Sequence, residues 1–164
     1  MRAHHCAVSG NRRAPEQDPA GRQQFDQGQR SVLDSADARY QWTFERIWDV
    51  ATLYNSRYGL GLSEEMGQLQ LTRYAPGQLY DWHMDLGGGA MSLRKISIVV
   101  ELAAGGYDGG GTEVFYGEGR NNRIALGRGD ALVFPSFIMH RALPVHSRTR
   151  WTLVSWLTGL GPLT

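Results

Sequence analysis

The chain has 164 residues, with 17 basic and 16 acidic side chains and a formal net charge of +1. That is one domain's worth of chain, and the balance gives no electrostatic case for a nucleic-acid or membrane partner. The single cysteine, Cys6, excludes an intramolecular disulfide framework and a cysteine-rich zinc site, and no run approaches the roughly 18 apolar residues of a membrane helix.

Residues 1–30 are polar and aperiodic, rich in Arg, Gln, Pro and Gly. They are predicted to form a disordered arm, with residues 31–164 as the folded domain. The arm lacks the apolar run of a secretory signal, so the expected compartment is the cytoplasm. His4, His5 and Cys6 are read as accidental ligands on a solvated tail.

Residues 43–57 are predicted to be helical. Phe44, Ile47, Trp48, Ala51 and Tyr54 or Leu53 recur at three- and four-residue spacing, Thr43 is placed to cap the start, and Tyr58-Gly59 ends the run. From about residue 67 the period changes to two. Strands are predicted at Gln68–Tyr74, Tyr80–Asp85, Lys95–Leu102, Thr112–Tyr116, Ile124–Leu126, Ala131–Phe134, Ile138–Leu143 and Trp151–Leu157. Gly or Pro separates nearly all of them. One helix followed by many short strands predicts a mainly β protein, a jelly roll with the helix packed on one sheet.

His83 and Asp85 lie two apart in an extended run, so their side chains share a face. A chain of this composition contains about 0.3 such pairs by chance, so the pair alone is not a site. His140 changes the weighing. It sits on a late strand after Pro135-Ser136, and a jelly roll lays an early strand beside a late one across the intervening 57 positions. Two imidazoles and one carboxylate would then make the arrangement of non-haem Fe(II) sites, which leaves three positions open. Arg150 shares one face of the last strand with Thr152, Val154 and Trp156. If that face points inward, its planar fork needs an anion. The gap between facing sheets suits a small diacid spanning from metal to Arg150. On surface strands the same residues would be ordinary solvated groups.

Four stretches carry a family resemblance: Arg73-Tyr74-Ala75-Pro76-Gly77 through His83-Met84-Asp85; Arg94 to Leu102; Gly110-Gly111-Thr112-Glu113-Val114-Phe115; and Gly129 to Ser136 with His140-Arg141-Ala142 and Arg150 to Trp156. In order and spacing the chain resembles the Fe(II)/2-oxoglutarate-dependent dioxygenases, of the prolyl-4-hydroxylase-like branch. The resemblance implies a double-stranded β-helix carrying N-terminal helices. It implies Fe(II) held by His83, Asp85 and His140, with 2-oxoglutarate as cosubstrate and its far carboxylate on Arg150. Tyr74 would line the cosubstrate pocket, with a core aromatic as the alternative reading, and Trp156 would stand near it. Ascorbate is implied as a reductant.

The implied reaction is hydroxylation of an unactivated C–H bond with O2, giving succinate and CO2. The substrate would be a small molecule or a peptide, a peptidyl prolyl side chain among the options. Glu101 departs from the family pattern, where an uncharged residue is common; a carboxylate there would repel 2-oxoglutarate if it pointed inward. An oxygenase is expected to leave the Arg150 guanidinium free of a strong protein carboxylate. The rival readings are a cupin-like metal-binding jelly roll and a metal-assisted hydrolase, neither with oxygen chemistry. Gly87–Gly89 and Gly109–Gly111 are not phosphate loops, because no Gly-Lys-Ser/Thr follows. Arg128-Gly129-Asp130 reads as a tight turn and His146 as a solvated turn residue.

Overall fold

The computed structural model describes residues 27–63, 67–103, 105–117, 119 and 121–161. Most of the expected arm, with His4, His5 and Cys6, lies outside the described residues. The chain folds as β1 (Gln29–Leu33), α1 (Gln41–Tyr58), β2 (Leu69–Tyr74), β3 (Tyr80–His83), a 3-10 turn (Gly89–Leu93), β4 (Arg94–Glu101), β5 (Asp108–Gly109), β6 (Thr112–Phe115), β7 (Asn121–Ile124), β8 (Ala131–Pro135), β9 (His140–Ala142), β10 (Val145–Ser147) and β11 (Arg150–Thr158). Among the described residues three antiparallel sheets form, in the orders β1-β2-β11-β4-β8, β3-β9-β6-β7 and β10-β5. This is the expected jelly roll with a helix on one sheet. No helix among the described residues is long and apolar enough to cross a membrane.

Period-two patterning gives the large sheet two different faces. Leu69 of β2, Ile96 and Ile98 of β4, and Leu153 and Leu157 of β11 point to one side. There they bury Phe44, Ile47 and Ala51 of α1. The helical stripe is the predicted one, resolved in favour of Tyr54, which packs on this core, over Leu53, which is exposed. The helix starts two residues before Thr43. Its N-cap is Tyr40, which makes no side-chain cap bond, so Thr43 lies inside the first turn. Gly59 ends it in the left-handed region at φ 60°, donating its N–H to the Asn55 carbonyl, as a glycine there does at no steric cost.

The alternate residues Thr72, Thr152 and Val154 face the other way, toward the four-stranded sheet, and line a cavity with His83, His140 and Ala142 of that sheet. Three strands were not expected. β1 pairs with β2 along its length, and β5 with β10. His146 therefore lies in a strand rather than a turn, and is exposed as expected. The strand expected at Ile124–Leu126 is centred earlier, at Asn121–Ile124. The turn before β8 is as predicted: Asp130 accepts the Gly127 N–H through its carboxylate at 2.7 Å.

Candidate metal and cosubstrate site

The pairing of β3 with β9 brings the two histidines together. His83 and His140 are direct cross-strand partners, and their ring centroids are 4.2 Å apart. Asp85 lies just past the end of β3. Its backbone N–H donates to the Ser136 carbonyl at 3.0 Å, which fixes the carboxylate against both rings. His83 Nε2 is 3.5 Å from Asp85 Oδ1, and His140 Nε2 is 3.5 Å from Oδ2. One ligand atom from each residue falls within 4.8 Å of the others.

Both rings are oriented from behind. His83 Nδ1 meets the Asp81 carbonyl at 2.7 Å and His140 Nδ1 the Ile138 carbonyl at 3.0 Å. A ring whose Nδ1–H donates to a carbonyl presents an unprotonated Nε2 lone pair inward, the form a metal takes. Burial pushes the His140 imidazole down, toward its neutral form. Burial opposes ionisation of Asp85, yet the polar groups around it, His83, His140, Ser97 and Trp156, outweigh burial and hold the carboxyl at about 2. Its Oδ2 is buried without a hydrogen-bond partner among the described residues, and a buried carboxylate oxygen is costly in that state. Two imidazoles, one carboxylate and an orphaned oxygen between them are a donor set that fits Fe(II).

The cavity in front of these residues has a volume of about 300 Å³. Arg150 lies at its wall, 1% exposed, opposite Tyr74 in the β2–β11 register. The guanidinium carbon is 5.7 Å from the Tyr74 ring. Burial pushes the Tyr74 phenol up, so it stands as a neutral donor. Trp156 lines the same cavity. His83, Asp85, His140, Arg150, Tyr74 and Trp156, expected from the sequence to share one site, therefore line one cavity.

The environment of Arg150 corrects one expectation. Its guanidinium is not free of protein carboxylate: Nε donates to Glu101 Oε2 at 2.9 Å, and both residues are 1% exposed. Glu101 points inward because β4 puts it on the same face as Ser97 and Val99. It does not line the metal-side cavity, however. It lines a second cavity of about 260 Å³ behind Arg150, with Tyr107, whose hydroxyl donates to Glu101 Oε2 at 3.0 Å. Arg150 Nη2 donates to Thr112 Oγ1 at 3.1 Å. Of the five guanidinium N–H groups, these contacts take two, and the Tyr107 hydroxyl also lies within reach of the guanidinium.

Sequence reasoning assigned no role to three further arginines that line the cavity, Arg30, Arg94 and Arg141. Arg141 pairs with Glu113 at 2.5 Å and covers the Trp82 ring at 4.6 Å. Arg94 covers the Trp156 ring at 4.2 Å and donates to the Asp85 carbonyl at 3.1 Å. Arg30, from β1, covers Tyr80 at 4.6 Å.

Residues 69–158 match the family model of the 2OG-Fe(II) oxygenase superfamily. A PKHD-type hydroxylase of Idiomarina loihiensis is 29% identical over 99 residues, 59% of this chain and 44% of that protein. A second, from Synechococcus, is 27% identical over 97 residues. The chain thus spans less than half the length of these curated relatives. Among solved structures, a Pseudomonas putida prolyl-4-hydroxylase aligns with TM-score 0.72 and 25% identity, covering 89% of this chain and 79% of that one. A collagen prolyl hydroxylase of Paramecium bursaria Chlorella virus-1 aligns with TM-score 0.61 at 16% identity, over 82% of this chain and 80% of that one, which is a likeness of fold.

Proposed function

The chain belongs to the 2OG-Fe(II) oxygenase superfamily, and from that premise we propose that it hydroxylates an unactivated C–H bond, consuming O2 and 2-oxoglutarate and releasing succinate and CO2. His83, Asp85 and His140 hold Fe(II) in this reading. The observation that carries it is the orphaned Asp85 Oδ2 between two imidazoles whose Nδ1 atoms are already engaged. Bound iron supplies the oxidising chemistry.

The protein's own residues supply the rest. Arg150 takes the far carboxylate of 2-oxoglutarate with the N–H groups that Glu101 and Thr112 leave over. Tyr74, beside it, donates to the same carboxylate. A hydrolase or a cupin-like module has no use for a buried guanidinium at the far wall of a metal cavity.

For substrate we propose a peptidyl prolyl side chain, on the strength of the Pseudomonas putida prolyl-4-hydroxylase likeness. Ascorbate serves as an auxiliary reductant, and the reaction takes place in the cytoplasm. Anaerobic titration with Fe(II) and then 2-oxoglutarate tests the core of this reading. A weak visible charge-transfer band at one equivalent is expected, and its absence would return the choice to a hydrolase or cupin-like module.

A further inference from the structure

We propose that the substrate presents a carboxylate close to the carbon that reacts, and that Arg94 and Arg30 receive it. This rests on the oxygenase reading above and adds the substrate's charge to it. Two of the four arginines lining the cavity are already neutralised, Arg150 by Glu101 and Arg141 by Glu113. Among the described residues Arg94 and Arg30 have no carboxylate partner; their contacts are with the Trp156 and Tyr80 rings, with the Asp85 carbonyl and with Gln27. Among the described residues lining the cavity, Asp85 is the single acid.

Loading the site does not remove the excess. Fe(II) and the 2-oxoglutarate dianion cancel one another, which leaves Asp85 against two arginines and one positive charge over. A guanidinium over the face of an aromatic ring, as Arg94 and Arg30 are, can turn N–H groups toward a planar anion.

The placement says where the anion sits. Arg94 reaches the triad through Asp85, whose carbonyl it holds at 3.1 Å. Arg30 reaches it through Tyr80, whose ring is 4.0 Å from that of His83. Arg94 thus touches the backbone of a residue of the triad, and Arg30 is one residue removed from it. An anion that both can meet is within one or two residues of the target in a peptide, or is the carboxylate of the target molecule itself if that is a free amino acid. Arg94 is half-buried and Arg30 exposed, so solvent screens Arg30 more and Arg94 contributes more.

Calorimetric titration of the full chain, loaded with Fe(II) and 2-oxoglutarate under argon, tests this without turnover. The probes are two blocked hexapeptides that differ only in Asp or Asn before a central Pro, and L-proline against L-prolinamide. The unsubstituted protein is expected to prefer the carboxylate member of at least one pair by about ten-fold; the pair that discriminates tells peptide from free amino acid. Arg94→Gln is expected to bring that ratio near one, Arg30→Gln to lower it by less, and Arg94→Lys to retain most of it. Because the ratio is taken within each variant, a general loss of binding does not imitate the effect. Ratios near one for both pairs in the unsubstituted protein, or retention of the ratio in Arg94→Gln, would overturn the proposal. A missing charge-transfer band would instead overturn the oxygenase reading, whatever the ratios.

Discussion

Glu101 Oε2 and Arg150 Nε lie 2.9 Å apart in a part of the protein that water does not reach. The pair meets behind the guanidinium, on the side away from the metal cavity. The carboxylate therefore holds the arginine's orientation and lowers the positive potential offered to a second anion in front. Glu101→Gln keeps an acceptor for the Nε–H and removes the charge. It is expected to tighten 2-oxoglutarate binding by about ten-fold, as removing a nearby like charge does at an effective dielectric near 20. Glu101→Ala, which leaves a buried guanidinium uncompensated, is expected to cost about 3–5 kcal/mol of stability. Urea unfolding and the anaerobic 2-oxoglutarate titration measure the two effects separately.

The triad responds differently. His140→Ala leaves β9 and its pairing untouched but takes away one of three ligand atoms and opens Asp85 Oδ2 further. Fe(II) bound per chain, measured after desalting, is expected to fall from one to near zero, and 2-oxoglutarate turnover with it. The unfolding midpoint without metal should stay near that of the unsubstituted protein. Arg150→Ala has the converse signature. The three ligands remain and iron stays bound, while 2-oxoglutarate binding weakens about ten- to a hundred-fold with the loss of a charge-assisted contact. Pairing it with Glu101→Gln avoids stranding the carboxylate.

The clustering of His83, Asp85 and His140 was readable from sequence because the HxD spacing is local and because jelly-roll strand order brings His140 to His83. The cavity's charge was not. Arg30 belongs to β1, four of whose five residues are exposed; an edge strand that buries almost nothing has no hydrophobic period to detect. β5 and β10, of two and three residues, are too short to show one. The direction of Glu101 was ambiguous because β4 is buried on both faces, so alternation did not say which side faced the cavity. Thr43 looked like a helix cap because the apolar stripe starts at Phe44, but the backbone begins to coil at Tyr40, which bonds the Thr43 and Phe44 N–H groups.

Gly67 tests a requirement that no pattern announced. A Cβ there would run into the Trp156 carbonyl of β11, a backbone atom that cannot swing aside. Gly67→Ala is expected to push the chain entering β2 off β11 and to destabilise the fold by about 1–3 kcal/mol, the usual cost of overpacking. Because Trp156 lines the cavity, the same change should also weaken 2-oxoglutarate binding. Chemical denaturation and the charge-transfer titration, run on one preparation, would show both effects.

The two faces of β11 should separate stability from chemistry. Leu157 is fully buried against α1 and makes no part of the cavity, whereas its neighbour Trp156 lines it. Truncating Leu157 to Ala removes three buried carbons from a close-packed interface between helix and sheet. The expected loss is about 2–5 kcal/mol, depending on how far the site collapses. In the fraction that remains folded, strand pairing still holds Arg150, Thr152 and Trp156 in register, so the 2-oxoglutarate dissociation constant should change less than two-fold. Trp156→Ala should give the opposite result. It removes the ring under Arg94, and with it the preference for a carboxylate-bearing probe, at a smaller cost in unfolding free energy. Equal losses of binding in both variants would mean that the sheet's faces are mechanically coupled, and that the α1 core is part of the site.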